Sequence, residues 1–348
     1  MATLTVLGAG MMASALCVPL VDAGHTVRLV GTHLDRTIID DLTAGRPHTT
    51  LKLALPESIQ PCHVERLAEA LDGADGLVIG VSSAGARWAG ERLAEHLPAP
   101  LPIVAITKGL ALTAGRPTLL PDLMAGLAGR EGVEIGCIVG PCIAGELARR
   151  ADTCIILTGR NAAHLSQLKA WLQTPYYHVR TSPDLVGNEL CAALKNAYAL
   201  AIGFAAGLHE QRGGTPGSVA AHNFEAAVFG QAICEMQRVV VALGGGHGTV
   251  LGLPGAGDLM VTCNGGRTGR FGRWLGLGLP LDEAIARMEG ATLEAVEILT
   301  TLHEASDALA EAGAPIPSLP LLAHLIDVVV HGHPVRMPFE AFDFGMQP

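Results

Sequence analysis

The stretch Thr5-Val6-Leu7-Gly8-Ala9-Gly10-Met11-Met12-Ala13 decides the fold of the N-terminal half of this chain. It starts inside a short apolar run, Leu4–Leu7, that predicts a buried strand, and it leads into a segment with helical periodicity. Gly8 allows a tight turn, Gly10 lets a pyrophosphate approach the backbone, and Ala13 lets the helix pack closely on the strand. A helix that begins here presents N–H groups and a partial positive charge to phosphates, so the stretch predicts a dinucleotide-binding loop.

Strand patterns alternate with helical patterns from Met1 to about Thr181. Runs that are largely apolar are typical of parallel strands covered on both faces, and they predict a Rossmann-type, doubly wound α/β domain. The predicted strands are Leu4–Leu7, Thr26–Val30, Gly76–Val81, Ile103–Thr107, Ile135–Val139 and Cys154–Leu157, and the helical patterns among them include Ser14–Ala23 and Gly85–His96.

Long helical patterns replace the strands after Ser182-Pro183. This change predicts a dinucleotide-binding domain over residues 1–182 and a mostly α-helical substrate-binding and catalytic domain over residues 183–348. The glycine- and proline-rich residues 213–218 predict a loop in the second domain. The predicted helices are Leu185–Leu208, Phe224–Leu243, Leu281–Arg287, Leu293–Ala312 and Leu321–His331.

The charge and the cysteines restrict the partners. A net charge of −10 without a basic run disfavours nucleic acid and anionic membrane surfaces, which leaves a small molecule as the expected partner. The eight cysteines show no Cys-x-x-Cys pair and no histidine at zinc-ligand spacing. We therefore expect small core residues in a reducing compartment and no metal.

The expected location is the cytoplasm. The N-terminus enters a strand without the basic and apolar regions of a secretory signal. The apolar stretch Leu190–Leu208 contains Lys195 and Asn196, which favours a buried core helix over a membrane span.

Lysines at two unusual positions are candidates for chemistry. Lys108 follows the predicted strand Ile103–Thr107, where strand ends line the ligand crevice of a doubly wound sheet, although a lysine leaving a strand for solvent looks the same. Lys195 lies inside the apolar helix, and burial lowers the pKa of a lysine towards the range in which it exchanges protons near neutral pH. The alternative is a lysine that extends along a helix–helix seam to water.

Two charged residues among glycines complete this set. Asp258 can orient a lysine or accept a hydrogen bond from a substrate hydroxyl, and Arg267 can bind a phosphate through two hydrogen bonds. A helix cap and a surface arginine are the alternatives for these two residues. Their joint occurrence with Lys195 favours the chemical interpretation.

The choice between NAD and NADP stays open. An acidic residue that binds a ribose 2′-hydroxyl is expected at the end of the second strand, but the sequence there is Gly31-Thr32-His33. His33 and Arg36 are close enough to be candidates for binding a 2′-phosphate.

Seven short segments occur in the order typical of one enzyme family. On these segments the whole chain resembles the NAD(P)-dependent glycerol-3-phosphate dehydrogenase family. They are Val6–Gly10, Ile106–Gly109, Val139–Pro141, Val186–Leu190, Ala193–Asn196, Gly257–Leu259 with Thr262-Cys263, and Arg270–Gly272.

The resemblance implies reversible hydride transfer between NAD or NADP and the pair dihydroxyacetone phosphate and sn-glycerol 3-phosphate. It implies that Lys195 is the catalytic lysine, assisted by Asp258 and Lys108. The implied substrate-binding residues are Lys108, Gly140, Cys142, Asn196, Asp258, Thr262, Arg267 and Thr268. The implied cofactor-binding residues are Gly8, Gly10, Met11, Met12, Ala13, Ala144, Arg267 and Glu294.

The chain also departs from the family pattern. Met11-Met12-Ala13 replaces Ser-Trp-Gly, Cys142-Ile143 replaces Ser-Phe after Gly140-Pro141, Thr268 replaces Asn, and residues 208–224 form a longer connection. These departures motivate an alternative in which the same machinery acts on another phosphorylated polyol or a hydroxy acid. A non-catalytic dinucleotide sensor is a third interpretation, disfavoured because a sensor needs no proton donor. The apolar, glycine-punctuated helices of the second domain favour a homodimer.

Overall fold

The computed structural model describes residues 1–216, 221–264, 266–311 and 319–345. The chain divides into two compact units. The first unit comprises Met1–Lys108 and Leu119–Leu185, and the second comprises Gly109–Thr118 and Val186–Pro348.

The first unit is built on an eight-stranded sheet in the order β10-β9-β8-β5-β4-β1-β2-β3. From β3 to β8 this is the doubly wound order expected of a dinucleotide-binding sheet, and those neighbours pair in parallel, which confirms the predicted fold class. The strands are β1 (Thr3–Leu7), β2 (Thr26–Val30), β3 (Gln60–Cys62), β4 (Gly76–Ile79), β5 (Ile103–Ala105), β8 (Ile135–Val139), β9 (Thr153–Thr158) and β10 (Tyr177–Ser182).

One strand runs against the prediction of a parallel sheet. β9 pairs antiparallel with β8, with Ile138 opposite Leu157, and β10 then pairs parallel with β9. Ile155 and Leu157 of this run are as fully buried as the side chains of the parallel strands. The composition of the run therefore does not reveal the direction of the strand. The prediction that this run is parallel is wrong.

Seven helices of the first unit cover its sheet. The apolar helix α1 follows the glycine loop directly and packs against α6. The helices are α1 (Met11–Asp22), α2 (Arg36–Thr43), α3 (Leu67–Leu71), α4 (Ala86–His96), α5 (Leu120–Ala128), α6 (Ala144–Ala148) and α7 (Ala162–Leu172).

The described part of the second unit consists of helices, their connections and a two-stranded hairpin. The hairpin consists of β6 (Leu110–Thr113) and β7 (Arg116–Leu119), and β6 contacts α13. Residues 217–218 of the predicted loop lie outside the described residues. The helices are α8 (Leu185–Gln211), α9 (His222–Ala242), α10 (Asp258–Cys263), α11 (Arg267–Gly276), α12 (Leu281–Ala286), α13 (Glu294–Glu311) and α14 (Pro320–Val329).

Helix α8 forms the core of the second unit. It is long and apolar enough to cross a membrane by length and composition, but 89% of its most apolar window is buried inside the protein. That burial is the behaviour of a core helix, as its lysine and asparagine indicated.

The backbones of helices α11 and α8 are in direct contact. A Cβ atom on Gly272 would overlap the carbonyl of Leu200, and one on Gly276 would overlap the carbonyl of Phe204. Only glycine permits this approach, so α11 is held in a fixed position on the helix that carries Lys195.

Candidate active site

The glycine loop of the first unit has the geometry of a phosphate-binding turn. Gly8 adopts φ +107°, and a Cβ atom there would lie 2.7 Å from the carbonyl oxygen of Gly80, so the position requires glycine. At Gly10 a Cβ atom would meet no atom of the described residues within 4 Å. Helix α1 begins at Met11 without a side-chain cap, which leaves its first N–H groups directed towards that space. These residues fit the pyrophosphate of a dinucleotide.

The small residue at the third position of the motif serves packing. A Cβ atom on Gly80, at the end of β4, would overlap the Cβ of Ala13. Helix α1 therefore lies as close to the sheet as its backbone permits, which directs its N-terminus at the carboxyl ends of the strands. Met11 is half exposed beside this N-terminus, whereas Met12 packs partly against the core.

The two candidates for a 2′-phosphate already have partners. Arg36, the first residue of α2, forms an ion pair with Glu65, and both side chains are largely exposed. His33 lies edge-to-face with Trp88 at 5.8 Å between ring centroids. Neither contact distinguishes NAD from NADP.

Two side chains that hold the glycine loop were missed in the sequence. Asp35, just before α2, contacts the backbone N–H of Ala9, and His48, in the chain after α2, contacts the carbonyl oxygen of Ala9. Asp35 occupies the N-cap position of α2, a place where aspartate is common, yet its carboxylate does not cap that helix. In the sequence, an aspartate at this position resembles an ordinary capping residue, and nothing there points to its contact with the loop.

Lys108 and Gly140 lie together at the carboxyl ends of β5 and β8. The Nζ of Lys108 donates a hydrogen bond to the carbonyl oxygen of Gly140 at 3.1 Å. Gly140 has φ +104° and Gly109 has φ +144°, so the chain turns sharply after both strands. The structure thus brings together two residues that the sequence assigned to one substrate.

Cys142 and Ala144 follow on the same loop. Cys142 is half buried and packs against the core of the first unit, and Ala144 is the first residue of α6. Ile143 between them is exposed. Three of the eight cysteines, Cys17, Cys137 and Cys191, are buried, and Cys154 is exposed, so the expectation that all eight are core residues is wrong.

The centre of the second unit is a buried ion pair. The Nζ of Lys195 on α8 donates a hydrogen bond to Oδ1 of Asp258, the first residue of α10. Lys195 is 7% exposed and Asp258 is 2% exposed. A π-helical turn at Leu253–Gly257 leads directly into α10 and places the carboxylate against the lysine.

A second polar group is on the next residue of α8. Asn196 donates a hydrogen bond from Nδ2 to Oε2 of Glu294 at 2.7 Å, and Oε1 of Glu294 lies 3.7 Å from Nη2 of Arg267. Glu294 thus connects the amide of α8 with the guanidinium at the start of α11. Arg267 remains nearly half exposed, which leaves donors for a ligand.

The remaining predicted residues of the second unit lie near these two groups along the chain. Thr262 donates its hydroxyl hydrogen to the carbonyl oxygen of Asp258 at 2.7 Å, within α10. Thr268 is the second residue of α11 and is half buried. Gly265, which precedes this helix, lies outside the described residues.

Among the described residues, no group of three or more histidine, cysteine, aspartate or glutamate side chains could hold a metal ion.

Sequence profiles of one family match most of the chain. The profile described as NAD-dependent glycerol-3-phosphate dehydrogenase N-terminus matches residues 3–165. The profile for the C-terminus of the same dehydrogenase matches residues 184–340.

Individual relatives agree with the profiles. The NADP(+)-dependent glycerol-3-phosphate dehydrogenase of Archaeoglobus fulgidus is 34% identical over 86% of this chain and 88% of its own length. The glycerol-3-phosphate dehydrogenase [NAD(P)+] of Geobacillus kaustophilus is 31% identical over 99% of this chain and 94% of its own. Among solved structures, glycerol-3-phosphate dehydrogenase from Coxiella burnetii superposes with a TM-score of 0.80 at 29% identity over 96% of each chain.

Proposed function

This chain belongs to the NAD-dependent glycerol-3-phosphate dehydrogenase family, and we propose that Lys195 gives and takes the proton in its reaction. The enzyme is an oxidoreductase that uses NAD or NADP and interconverts sn-glycerol 3-phosphate and dihydroxyacetone phosphate. The observation that carries the assignment of Lys195 is its buried hydrogen bond to Asp258.

Burial of the pair supports a chemical role. Taking a lysine out of water is costly, and a single carboxylate partner repays that cost only in good geometry. Stability alone would be served as well by apolar side chains of similar volume. The pair instead provides an ammonium group whose orientation is fixed before substrate arrives.

In the direction of reduction, Lys195 donates a proton to the carbonyl oxygen at C2 of dihydroxyacetone phosphate as that oxygen gains negative charge. In the direction of oxidation, the neutral amine takes the proton from the C2 hydroxyl of sn-glycerol 3-phosphate. Asp258 holds the lysine in place in both directions. The bound nicotinamide supplies or accepts the hydride.

Arg267 and its neighbours are proposed to bind the phosphate. The guanidinium is partly exposed and begins a helix whose N-terminus has no side-chain cap, so N–H donors and positive charge occur together. Thr268 adds a hydroxyl. Glu294, which accepts a hydrogen bond from Asn196, forms an ion pair with Arg267 and restricts its position. Lys108, Gly140 and Cys142 of the first unit and Thr262 of the second are assigned to the substrate on the family resemblance.

The two domains predicted from the sequence have different tasks in this proposal. Residues 1–182 form the dinucleotide-binding domain, and residues 183–348 form the substrate-binding and catalytic domain. The loop residues Gly8, Gly10, Met11, Met12 and Ala13 hold the pyrophosphate region, supported by the open, uncapped start of α1. Ala144, Arg267 and Glu294 are assigned to the cofactor on resemblance.

The proposed setting is a homodimer in the cytoplasm. The scattered positions of the eight cysteines in the sequence, without a Cys-x-x-Cys pair, suit a reducing compartment. Size-exclusion chromatography with light scattering tests the dimer, for which a single species of monomer mass is the contrary result.

A substrate panel tests the function. Nicotinamide absorbance is followed with NADH and NADPH against dihydroxyacetone phosphate, unphosphorylated dihydroxyacetone, other phosphorylated ketones and 2-keto acids. We expect dihydroxyacetone phosphate to give the highest kcat/KM. A higher value with another phosphorylated ketone or a keto acid would favour the alternative that Cys142 and Thr268 motivate.

A further inference from the structure

We propose that Asp35 and His48 are positioning residues that hold the dinucleotide-binding loop by both backbone polar groups of Ala9, the residue between its two glycines. The inference rests on the proposed function, because it explains how this chain prepares the loop that binds NAD or NADP. Neither residue belongs to the glycine motif itself.

Asp35 holds the N–H side of the loop. Its Oδ2 accepts a hydrogen bond from the backbone N–H of Ala9 at 3.1 Å. The same oxygen accepts from the backbone N–H and the hydroxyl of Thr32, both at 2.8 Å. The end of β2 and the glycine loop are therefore joined through one carboxylate oxygen.

His48 holds the carbonyl side. Its Nε2 lies 3.0 Å from the carbonyl oxygen of Ala9, and its ring is fully buried. The Nδ1 atom faces the backbone N–H groups of Thr50 and Leu51, each at 3.2 Å, so Nδ1 is the acceptor. The proton of the neutral ring is then on Nε2, which donates it to Ala9.

The remaining contacts of the loop come from the sheet and from α1. The N–H of Gly8 donates to the carbonyl oxygen of Val30 at 2.8 Å, and the hydroxyl of Ser14 donates to the carbonyl oxygen of Ala9 at 3.1 Å. With the polar groups of Ala9 engaged inside the protein, the open backbone surface at Gly10 and the start of α1 is left to the ligand. A loop held in this conformation before binding loses less conformational freedom when the ligand arrives, which raises affinity.

The contacts assign Asp35 a different role from that of a ribose-binding carboxylate. An acidic residue that accepts a hydrogen bond from the 2′-hydroxyl distinguishes NAD from NADP. The oxygen of Asp35 that faces the loop already accepts three hydrogen bonds from Ala9 and Thr32. Its loss should therefore weaken both coenzymes by the same factor.

The experiment measures NADH and NADPH binding to the full-length protein by fluorescence titration. Asp35→Ala is expected to raise the Kd of both coenzymes about tenfold, with kcat at saturating coenzyme within about threefold of wild type. Asp40→Ala is the matched control, because Asp40 lies on α2 and its exposed carboxylate is hydrogen-bonded to His63 rather than to the loop. It should leave both Kd values unchanged.

Conservative variants separate positioning from folding. Asp35→Asn keeps one acceptor oxygen and should have a smaller effect than Asp35→Ala. His48→Gln keeps a side-chain N–H donor and should bind both coenzymes more tightly than His48→Leu. If Asp35→Ala does not fold, Asp35→Asn and the comparison of His48→Gln with His48→Leu still test the inference.

Three results would overturn the inference. Unchanged Kd values in Asp35→Ala would show that the contact does not prepare the loop. A rise for only one coenzyme would identify Asp35 as a ribose contact instead. If the wild type binds neither NADH nor NADPH, the proposed function itself fails and this inference fails with it.

Discussion

The ammonium group of Lys195 donates a hydrogen bond to the carboxylate of Asp258, and both side chains are almost completely buried. The two residues are distant in the chain and are brought together by α8 and by the π-helical turn before α10. Removing one partner of a buried pair leaves an uncompensated charge, at a cost of about 3–5 kcal/mol. A variant of either residue therefore has to be checked for folding as well as for activity.

Asp258→Asn keeps the volume and an acceptor oxygen but removes the charge that orients Lys195. We expect kcat to fall by about tenfold or more, since a less well positioned proton donor acts less efficiently, while coenzyme binding is kept. Steady-state kinetics and fluorescence titration measure the two effects. The matched control is Asp282→Asn in the first turn of α12, where the side chain is exposed. Equal kcat values for Asp258→Asn and the control would contradict the assignment.

Arg267→Ala should separate phosphate binding from chemistry. Charge-assisted hydrogen bonds are worth about 1.5–3 kcal/mol, so KM for dihydroxyacetone phosphate should rise roughly 10- to 100-fold. The kcat/KM for unphosphorylated dihydroxyacetone should stay near that of the wild type. Arg287→Ala serves as the control, because Arg287 stacks on Trp274 and has no assigned contact with substrate. Equal losses for both substrates would exclude a phosphate-specific role.

Much of the fold follows from local sequence patterns, and the exceptions have physical reasons. Strands β2 and β8 have the predicted bounds because apolar runs end at turn residues there. Strand β3 was missed because three residues around Pro61 carry no alternation, and β10 because Arg180 and Thr181 make an edge strand polar. Helices α10 and α11 were missed because glycines precede the first and interrupt the second, as they do in loops, whereas Gly272 of α11 serves close packing on α8.

The candidate site was predictable where chemistry conflicts with the local pattern. Lys195 stood out because a lysine is unusual in an apolar helix, and the structure gives it a buried partner. Asp35 and His48 did not stand out, because an aspartate at a helix start and a histidine in a loop are ordinary. Their contact with Ala9 depends on the tertiary path of the chain, which no local pattern encodes.

A buried carboxylate stabilises the second unit. Glu235 on α9 accepts hydrogen bonds from the backbone N–H groups of Leu321 and Leu322 at 2.7 and 2.8 Å, at the start of α14. In Glu235→Gln one acceptor becomes a donor that faces an N–H group, so the free energy of unfolding should fall by about 1–3 kcal/mol. Urea denaturation measures it, with Glu225→Gln on the same helix as the control.

The effect of this variant should depend on pH. Burial raises the pKa of Glu235 above its usual value, an effect that its hydrogen bonds only partly offset. The unfolded state then loses its proton first as the pH rises, so the stability of the wild type falls between the ordinary and the raised pKa. The difference in the free energy of unfolding between wild type and Glu235→Gln should become smaller as the pH rises over that range. A difference that becomes larger would contradict the account.

An ion pair in the first unit should have the opposite pH dependence. A hydrogen bond from Arg150 lowers the pKa of Asp22, so the stabilisation is present above the ordinary carboxyl pKa and is lost as the pH falls through the lowered one. Because both side chains are partly exposed, Arg150→Ala should lower the free energy of unfolding by only about 0.2–1 kcal/mol at neutral pH. Arg149→Ala is the control, since Arg149 bonds only the carbonyl of Gly145 in its own helix. If Arg150→Ala lowers the free energy of unfolding by the same amount at acid pH, the ion pair with Asp22 is not the source of the stabilisation.

The identity of the proton donor is tested most directly by kcat of Lys195→Ala with dihydroxyacetone phosphate at saturating coenzyme. A positioned acid contributes about 10²- to 10⁴-fold, so we predict a loss of that size with coenzyme binding intact and partial rescue by added primary amines. Lys169→Ala on α7 provides the control and should turn over like the wild type. Turnover of Lys195→Ala within about threefold of the wild type would contradict the account.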